Sequence, residues 1–109
     1  MSDVAIGDLR HRLMLEAPVR TGDGAGGASL TWSLVAEVWG AIRPQSGSES
    51  ADAEALRGRV THEIWIRHKG GVGPDMRFRL GSRVFDIRAA IDVGERHRFL
   101  KCLVEERVA

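Results

Sequence analysis

One thirteen-residue stretch, Met76 to Arg88, constrains the fold more than any other part of this sequence. It reads Met-Arg-Phe-Arg-Leu-Gly-Ser-Arg-Val-Phe-Asp-Ile-Arg, and apolar and charged residues alternate on both sides of Gly81-Ser82. A period of two is typical of a strand with one buried face. Glycine at the first position of a two-residue loop suits a type II′ turn, because that position requires a positive φ. The stretch therefore predicts a β-hairpin.

A hairpin closed at Gly81-Ser82 has a defined register. It sets three pairs of residues opposite each other: Phe78 with Phe85, Met76 with Ile87, and Arg77 with Asp86. The first two pairs share one face, and the third is an opposite-charge pair on the other face. Each cross-strand pair contributes about 0.2–1 kcal/mol, and a slip of one residue would move both phenylalanines into water. We expect the rest of the domain to pack against this apolar face.

The length and composition of the chain limit its organisation. We expect its 109 residues to form one domain, residues 1–109, with a modest core. Cys102 is the single cysteine, so no disulfide can form within the chain. No apolar run approaches the roughly 20 residues of a membrane span, and the polar N-terminus does not resemble a signal peptide. The expectation is a soluble protein synthesised in a cytoplasm, with no membrane partner.

The net charge of +1 does not indicate a general nucleic-acid-binding protein, but the charge is unevenly distributed. Residues 1–56 carry a net charge of −4, and residues 57–101 carry +6. Either the charges are solvated and clustered by chance, or copies of the chain meet acidic face to basic face, as in a ring. The second interpretation makes Arg77 and Arg79 candidate contacts, and the preference for arginine over lysine also favours interface pairs.

Alternating and β-branched segments predict further strands on both sides of the hairpin. We expect them over residues 10–19, 30–43, 59–68 and 99–108, the first ended by Pro18 and the second by Pro44. Residues 20–29 hold four of the thirteen glycines and predict a flexible loop. No βαβ spacing occurs, so the expected fold is mainly β, a small antiparallel β-barrel or sandwich of about six strands.

One short helical insertion is expected over residues 46–58. Ser46 and Glu49 have the spacing of a capping box, the following residues are rich in Ala, Glu and Leu, and Gly58 ends the segment. A helix of about ten residues is marginal without packing support. This insertion could therefore become ordered only against a partner.

Candidate chemical sites in the sequence favour structural interpretations. Gly22 to Gly27 matches the pattern G-x-G-x-x-G, but a strand follows it instead of the helix that a dinucleotide site requires, so we interpret it as a hairpin loop. The four histidines lack metal-ligand spacing, and Cys102 alternates with apolar residues, as a buried strand residue does. No acid and base are paired at a defined spacing. We expect no enzyme activity, no cofactor, no metal and no small-molecule substrate.

The tryptophans suggest contact surfaces, because exposed tryptophan is enriched at interfaces. Trp65 shares its predicted strand face with Glu63 and Arg67, which makes it a candidate subunit contact. The alternative is that Trp65 lies at the rim of the core.

Several short motifs follow one another in a specific order along about residues 7–106. They are Gly7 to Arg12, Asp23 with Gly26 and Gly27, Trp32, Val35 to Pro44, Glu49 with Ala53, Val60 to His62, Ile66-Arg67, Met76-Arg77, Arg83 to Ile87, and Leu100 to Glu105. This order resembles that of phage head–tail joining proteins, which are also called head-closure, stopper or head–tail adaptor proteins. Two residues depart from the pattern: Gly40 stands where alanine is usual, and His68 stands where an aromatic residue is expected.

The resemblance implies a ring of copies of this chain at the head–tail junction of a virion or phage-like particle made in bacteria. The ring would lie between a head-side portal or adaptor protein and a tail-side terminator or tail tube protein. Double-stranded DNA would pass through its lumen with contacts to phosphates only, and the ring would help to retain the packaged DNA. Candidate residues facing the lumen are Ala51, Glu54, Arg57 and Arg59. Candidate contacts within the ring or with a neighbouring ring are Asp23, Gly26, Gly27, Trp65, Arg67, Arg77 and Arg79.

Two other functions stay open at this point. A stand-alone small β-barrel that binds nucleic acid would need a basic groove with exposed aromatic side chains, and only Trp65 with Arg67 suggests one. An enzyme is suggested only by the glycine-rich loop.

Overall fold

The computed structural model describes residues 6–22, 24, 26–45 and 60–107. Within these ranges six antiparallel strands form a closed barrel in the order β1-β2-β3-β6-β5-β4, which confirms the mainly β expectation. Short 3-10 turns cover Ile6–Asp8 and Val93–Glu95. The expected helical insertion over 46–58 lies outside the described residues. The strands are β1 His11–Gly22, β2 Ala28–Pro44, β3 His62–Arg67, β4 Arg77–Leu80, β5 Arg83–Asp92 and β6 Phe99–Glu106.

The β4–β5 hairpin has the predicted register. Phe78 lies opposite Phe85, and Arg77 lies opposite Asp86. Gly81 has a φ of +60°, the positive value that the first position of a type II′ turn requires. Both phenylalanines are fully buried, because the apolar face of the hairpin forms one wall of the barrel interior.

The barrel interior is filled by aliphatic and aromatic side chains from all six strands and from Met76, which precedes β4. Alternation along each strand explains this, since every second residue points inward. The cluster consists of Leu13, Leu15, Ile64, Ile66, Met76, Phe78, Phe85, Ile87, Leu100, Cys102 and Val104, with Val38 and Ile42 of β2 packed against it.

Two irregularities change which residues face inward. In β5, Ile87 pairs with Val104 and Ala89 pairs with Leu103, so Arg88 is an extra residue at a β-bulge. In β2, Ala36 pairs with Leu15 and Leu34 pairs with Glu16, so Val35 is the extra residue. A bulge bends the strand and increases its twist, which helps six strands to close into a barrel.

A second apolar cluster packs on the outside of the barrel wall. It contains Leu9, Ala41 and Trp65, with Val93 and Phe99 against them. Trp65 is 6% exposed, and its Nε1 donates a hydrogen bond to Oε1 of Glu63 at 3.0 Å. The wall near the start of β1 is therefore covered on both sides.

Strand β1 extends beyond the predicted end at Pro18, and that prediction is wrong. Pro18 pairs with Trp32 inside a β1–β2 ladder that continues to Gly22. β1 pairs with β4 only through residues 14–16, so from residue 17 onward β1 is an edge strand in the described structure. Proline is tolerated in an edge strand because its nitrogen, which lacks a hydrogen, can lie on the side that has no neighbouring strand.

Candidate interaction surface

The β1–β2 hairpin projects beyond the barrel as a two-stranded ribbon, residues 17–22 and 28–33. In the part of the chain that the structure describes, these residues pair only with each other, since β4 pairs with β1 only as far as Glu16 and β3 pairs with β2 only from Gly40 to Pro44. Six residues at about 3.3 Å each make the outer part of this ribbon roughly 20 Å long. Both of its edges therefore present backbone donors and acceptors to other molecules.

Exposed apolar side chains are concentrated on this hairpin. Among the described residues, every exposed large hydrophobic side chain lies on β1 or β2, and the exposed fractions run from 42% to 56%. A few isolated apolar residues on a surface are ordinary, but their concentration on one projecting element indicates a binding surface. These residues are Val19, Leu30, Leu34, Val35 and Trp39.

Three of the apolar residues on β2 form a stripe along one face of the ribbon. Leu30, Trp32 and Leu34 alternate along the strand and therefore point to the same side. We call them the apolar stripe. Leu34 lies directly opposite Glu16 in the ladder, so the stripe ends beside a buried carboxylate.

Glu16 is held by two arginines of β4. Its carboxylate accepts hydrogen bonds from Nε of Arg77 at 2.8 Å and from Nε of Arg79 at 3.0 Å. The guanidinium of Arg77 also lies 4.1 Å from the ring centroid of Trp32, a cation–π distance. The Glu16 side chain is 8% exposed, whereas that of Arg79 is 43% exposed. These contacts fix the base of the ribbon to the barrel.

The electrostatic balance at Glu16 favours the ionised form. Burial alone raises the pKa of Glu16, but the hydrogen bonds and charges of Arg77 and Arg79 outweigh it, so the pKa lies below its usual value of 4.5. The carboxylate is therefore charged at neutral pH and stabilises the junction between ribbon and barrel.

The structure changes the interpretation of two sets of predicted site residues. Trp65 is buried against Ala41 and Leu9. The prediction that Trp65 is an exposed subunit contact is therefore wrong. The same burial removes the aromatic side chain that suggested a nucleic-acid-binding groove. Arg67 at the end of β3 is exposed, as an interface residue must be.

Arg77 and Arg79 lie in one cluster with Glu16, and the predicted Arg77–Asp86 ion pair does not form. Asp86 instead accepts hydrogen bonds from Arg107, with the Nε to Oδ2 distance at 2.8 Å. Glu16 belongs to the acidic half of the sequence, and Arg77 and Arg79 belong to the basic half. Their ion pairs therefore join the two halves within one chain. Whether these residues also contact another copy stays a prediction.

Of the remaining candidates, the structure describes Gly26 and Gly27. Gly26 and Gly27 lie at the tip of the ribbon, where Gly26 has a φ of +85° that favours glycine. Asp23 and all four lumen candidates lie outside the described residues.

Sequence patterns did not point to the exposed apolar residues of the β1–β2 hairpin. Val35 and Trp39 alternate in the same way as core residues do. Only the adjacent pair Leu34-Val35, which breaks the alternation, could have indicated that β2 leaves the barrel.

Cys102 cannot serve as a nucleophile in this fold. It is fully buried, as predicted, and burial raises the pKa of its thiol to about 12.

Among the described residues, no helix is long and apolar enough to cross a membrane.

The described fold is thus a small closed barrel with a projecting hairpin that carries exposed apolar side chains. The family model described as phage head completion protein matches residues 4–107. The chain belongs to the phage head completion protein family, and it is a structural protein of the virion or phage-like particle with a role in joining head and tail.

Solved structures agree with this assignment. A chain in the structure of the virion of a native gene transfer agent particle is 35% identical, with a TM-score of 0.68, and the match covers 92% of this chain and 96% of that one. The solution structure of a protein from Shigella flexneri 2a is 23% identical with a TM-score of 0.71, covering 94% of this chain and 96% of the other, and supports the fold alone. No curated protein matches the sequence.

Proposed function

We propose that copies of this protein form a ring at the head–tail junction, that DNA passes through the ring, and that the ring helps to retain packaged DNA. Membership of the head completion family and the 35% identity to a chain of a gene transfer agent virion support this proposal. The observation that carries it is the ribbon, which offers free strand edges and exposed apolar side chains on the same element.

Two kinds of contact are available to the ribbon. A free strand edge can extend its ladder with an extended segment of another chain, and the backbone hydrogen bonds then supply the affinity. The apolar stripe can bury its side chains against a neighbour, at roughly 25 cal/mol for each Å² of apolar surface removed from water. The ribbon therefore joins this copy either to the next copy in the ring or to an adjoining ring.

The partners in this proposal lie on both sides of the ring. The portal or adaptor protein lies on the head side, and the tail terminator or tail tube protein lies on the tail side. We assign Asp23, Gly26 and Gly27 to one of these docking contacts, because Gly26 and Gly27 lie at the tip of the ribbon.

The lumen side of the ring is assigned to the segment between β2 and β3. Ala51, Glu54, Arg57 and Arg59 belong to it, and the two arginines would contact DNA phosphates without reading sequence. Such contacts weaken as the salt concentration rises, because they release counterions.

Deletion of the gene from the producing strain tests the proposal. We expect heads that package DNA but lose it, and few joined tails, with both defects rescued by the wild-type gene. Electron microscopy of wild-type particles should place a ring of this protein at the neck. Particles that lack the protein but keep their DNA and tails, or necks that hold single copies only, would overturn the proposal.

A further inference from the structure

A second group of side chains lies where β3, β5 and the turn before β6 meet. His68 follows β3, Asp92 is the last residue of β5, and His97 follows the 3-10 turn Val93–Glu95. The backbone N–H of His68 donates to the carbonyl oxygen of Arg98 at 2.9 Å, which holds the end of β3 against the residues just before β6. Two segments that are far apart in sequence, the end of β3 and the turn from Asp92 to His97, thus place two imidazoles and a carboxylate together.

The potential ligand atoms of these three residues all lie within 4.8 Å of one another. Two ligands of a tetrahedral zinc ion lie about 3.3 Å apart, given bond lengths of about 2.0–2.1 Å. Small side-chain rotations close this difference, and the His97 side chain is 73% exposed and therefore free to rotate. The rings of His68 and His97 are nearly perpendicular, at 82°, with centroids 4.6 Å apart.

Asp92 is already oriented within this group. Its Oδ1 accepts a hydrogen bond from the backbone N–H of His97 at 3.0 Å. Its Oδ2 lies 3.6 Å from Nε2 of His97, which is too far for a hydrogen bond. One carboxylate oxygen is therefore fixed, and the other faces the imidazole without a direct bond to it.

The backbone of the turn is held in an uncommon conformation. Glu95 and His97 have φ values of +56° and +57°, and they are the non-glycine residues with positive φ in the described ranges. Such a conformation is unfavourable for a residue other than glycine and is often found at functional sites. It is also what brings the His97 side chain next to Asp92.

We propose that His68, Asp92 and His97 bind one divalent transition-metal ion of the zinc class. Two imidazoles and one carboxylate are a ligand set that such ions take, and they leave a fourth position open. His68 and His97 line a cleft of about 290 Å³ together with Arg67 and Arg98. The two guanidiniums disfavour an ion held by charge alone, such as Mg²⁺ or Ca²⁺, so the site selects an ion that imidazole coordinates strongly.

Titration of the full chain, first stripped of metal with a chelator, tests the site. Isothermal calorimetry with Zn²⁺ should show one ion bound per chain, Co²⁺ should give the visible absorption of a nitrogen-coordinated ion, and Mg²⁺ should give neither signal. His97→Asn should weaken Zn²⁺ binding by about tenfold or more, and asparagine tolerates the positive φ at this position. Asp92→Asn should weaken it as well.

Two control variants separate loss of a ligand from other effects. Glu95→Asn changes the other left-handed residue of the same turn, and His11→Asn removes an exposed histidine from a different part of the surface. Both should bind Zn²⁺ as the wild type does. The proposal fails if the wild type binds no Zn²⁺, or if folded His97→Asn binds it with unchanged affinity.

Discussion

The Nε atom of Arg77 lies 2.8 Å from Oε1 of Glu16, a residue 61 positions earlier in the chain. Arg77 lies opposite Asp86 of β5 on one side and opposite Glu16 of β1 on the other, and its side chain bonds to Glu16. This bond joins the hairpin that the sequence specifies locally to the strand that carries the ribbon.

Loss of the Glu16 carboxylate should destabilise the fold. Glu16→Ala leaves two guanidiniums without their shared partner, and breaking a buried ion pair in this way costs about 3–5 kcal/mol. We expect the lower end of this range, because Arg79 is 43% exposed. The free energy of unfolding in urea measures it.

The matched control for that variant is Glu37→Ala. Glu37 forms an exposed pair with Arg12 at 3.7 Å, for which about 0–1 kcal/mol is expected. Equal losses from the two variants would contradict the role that we assign to Glu16.

Reversal of the charges of Arg77 and Arg79 should lower the free energy of unfolding, because both side chains bond to Glu16. This loss of stability should be at least as large as the loss of free energy of assembly.

Stability should also depend on pH through Glu16. Its pKa is below 4.5 in the folded protein, so its contribution is present above that pH and is lost as the pH falls through the folded pKa. Between neutral pH and about pH 3, the wild type should lose more stability than Glu16→Gln does.

Urea denaturation of both proteins across that pH range provides the measurement. Glu106, whose pKa is lowered first by its hydrogen bond from Arg83, titrates in both proteins and cancels in the comparison. Parallel stability curves for the two proteins would mean that Glu16 contributes nothing in its charged form.

Gly40→Ala should destabilise this protein, although alanine is usual at this position in the pattern the sequence resembles. An added Cβ would lie 2.7 Å from Cδ1 of Leu13 and 3.1 Å from the carbonyl oxygen of Trp65. Overpacking of this kind typically costs about 1–3 kcal/mol. Thermal unfolding measures the loss.

Gly70→Ala is the appropriate comparison for that substitution. No atom lies within 4 Å of the added Cβ at Gly70, so the change should leave the melting temperature nearly constant. A Gly40→Ala protein as stable as the Gly70→Ala protein would show that Leu13 can move aside without cost.

Removal of the two leucines of the apolar stripe should impair assembly and leave the stability of the fold nearly unchanged. Leu30→Ser with Leu34→Ser removes two exposed apolar side chains, so little core packing is lost. We expect a strong decrease in the amount of this protein incorporated into purified particles, with nearly unchanged thermal stability. Quantitative immunoblotting of particles gives the first value.

Thr31→Ala serves as the control, because Thr31 lies between the two leucines and alternation directs it to the other face of the ribbon. It should be incorporated normally. Normal incorporation of the leucine double variant would exclude the stripe as a contact surface.

These results show which contacts a sequence can reveal. The register of β4 and β5 was predictable, because two residues of turn and the alternation on either side determine it. The partner of Arg77 was not predictable, because two strands distant in sequence meet only when the barrel closes. The group of His68, Asp92 and His97 was hidden for the same reason, since spacing in sequence does not show that β3 and β5 end near each other.

The sequence does not predict the ribbon, because a proline at position 18 indicates the end of a strand. That inference holds for a central strand, where a missing N–H breaks the ladder. It fails here because β1 loses its second neighbour after residue 16, a fact that depends on where β4 ends.

The packed interior of the barrel has a consequence for any passage of DNA. Phe78 and Phe85 occupy the centre with no exposed surface, so one folded copy is solid from wall to wall. A duplex can be enclosed only by several copies arranged around an axis. The diameter of such an opening is then determined by how many copies meet and at what angle, and substitutions inside a single barrel cannot widen it.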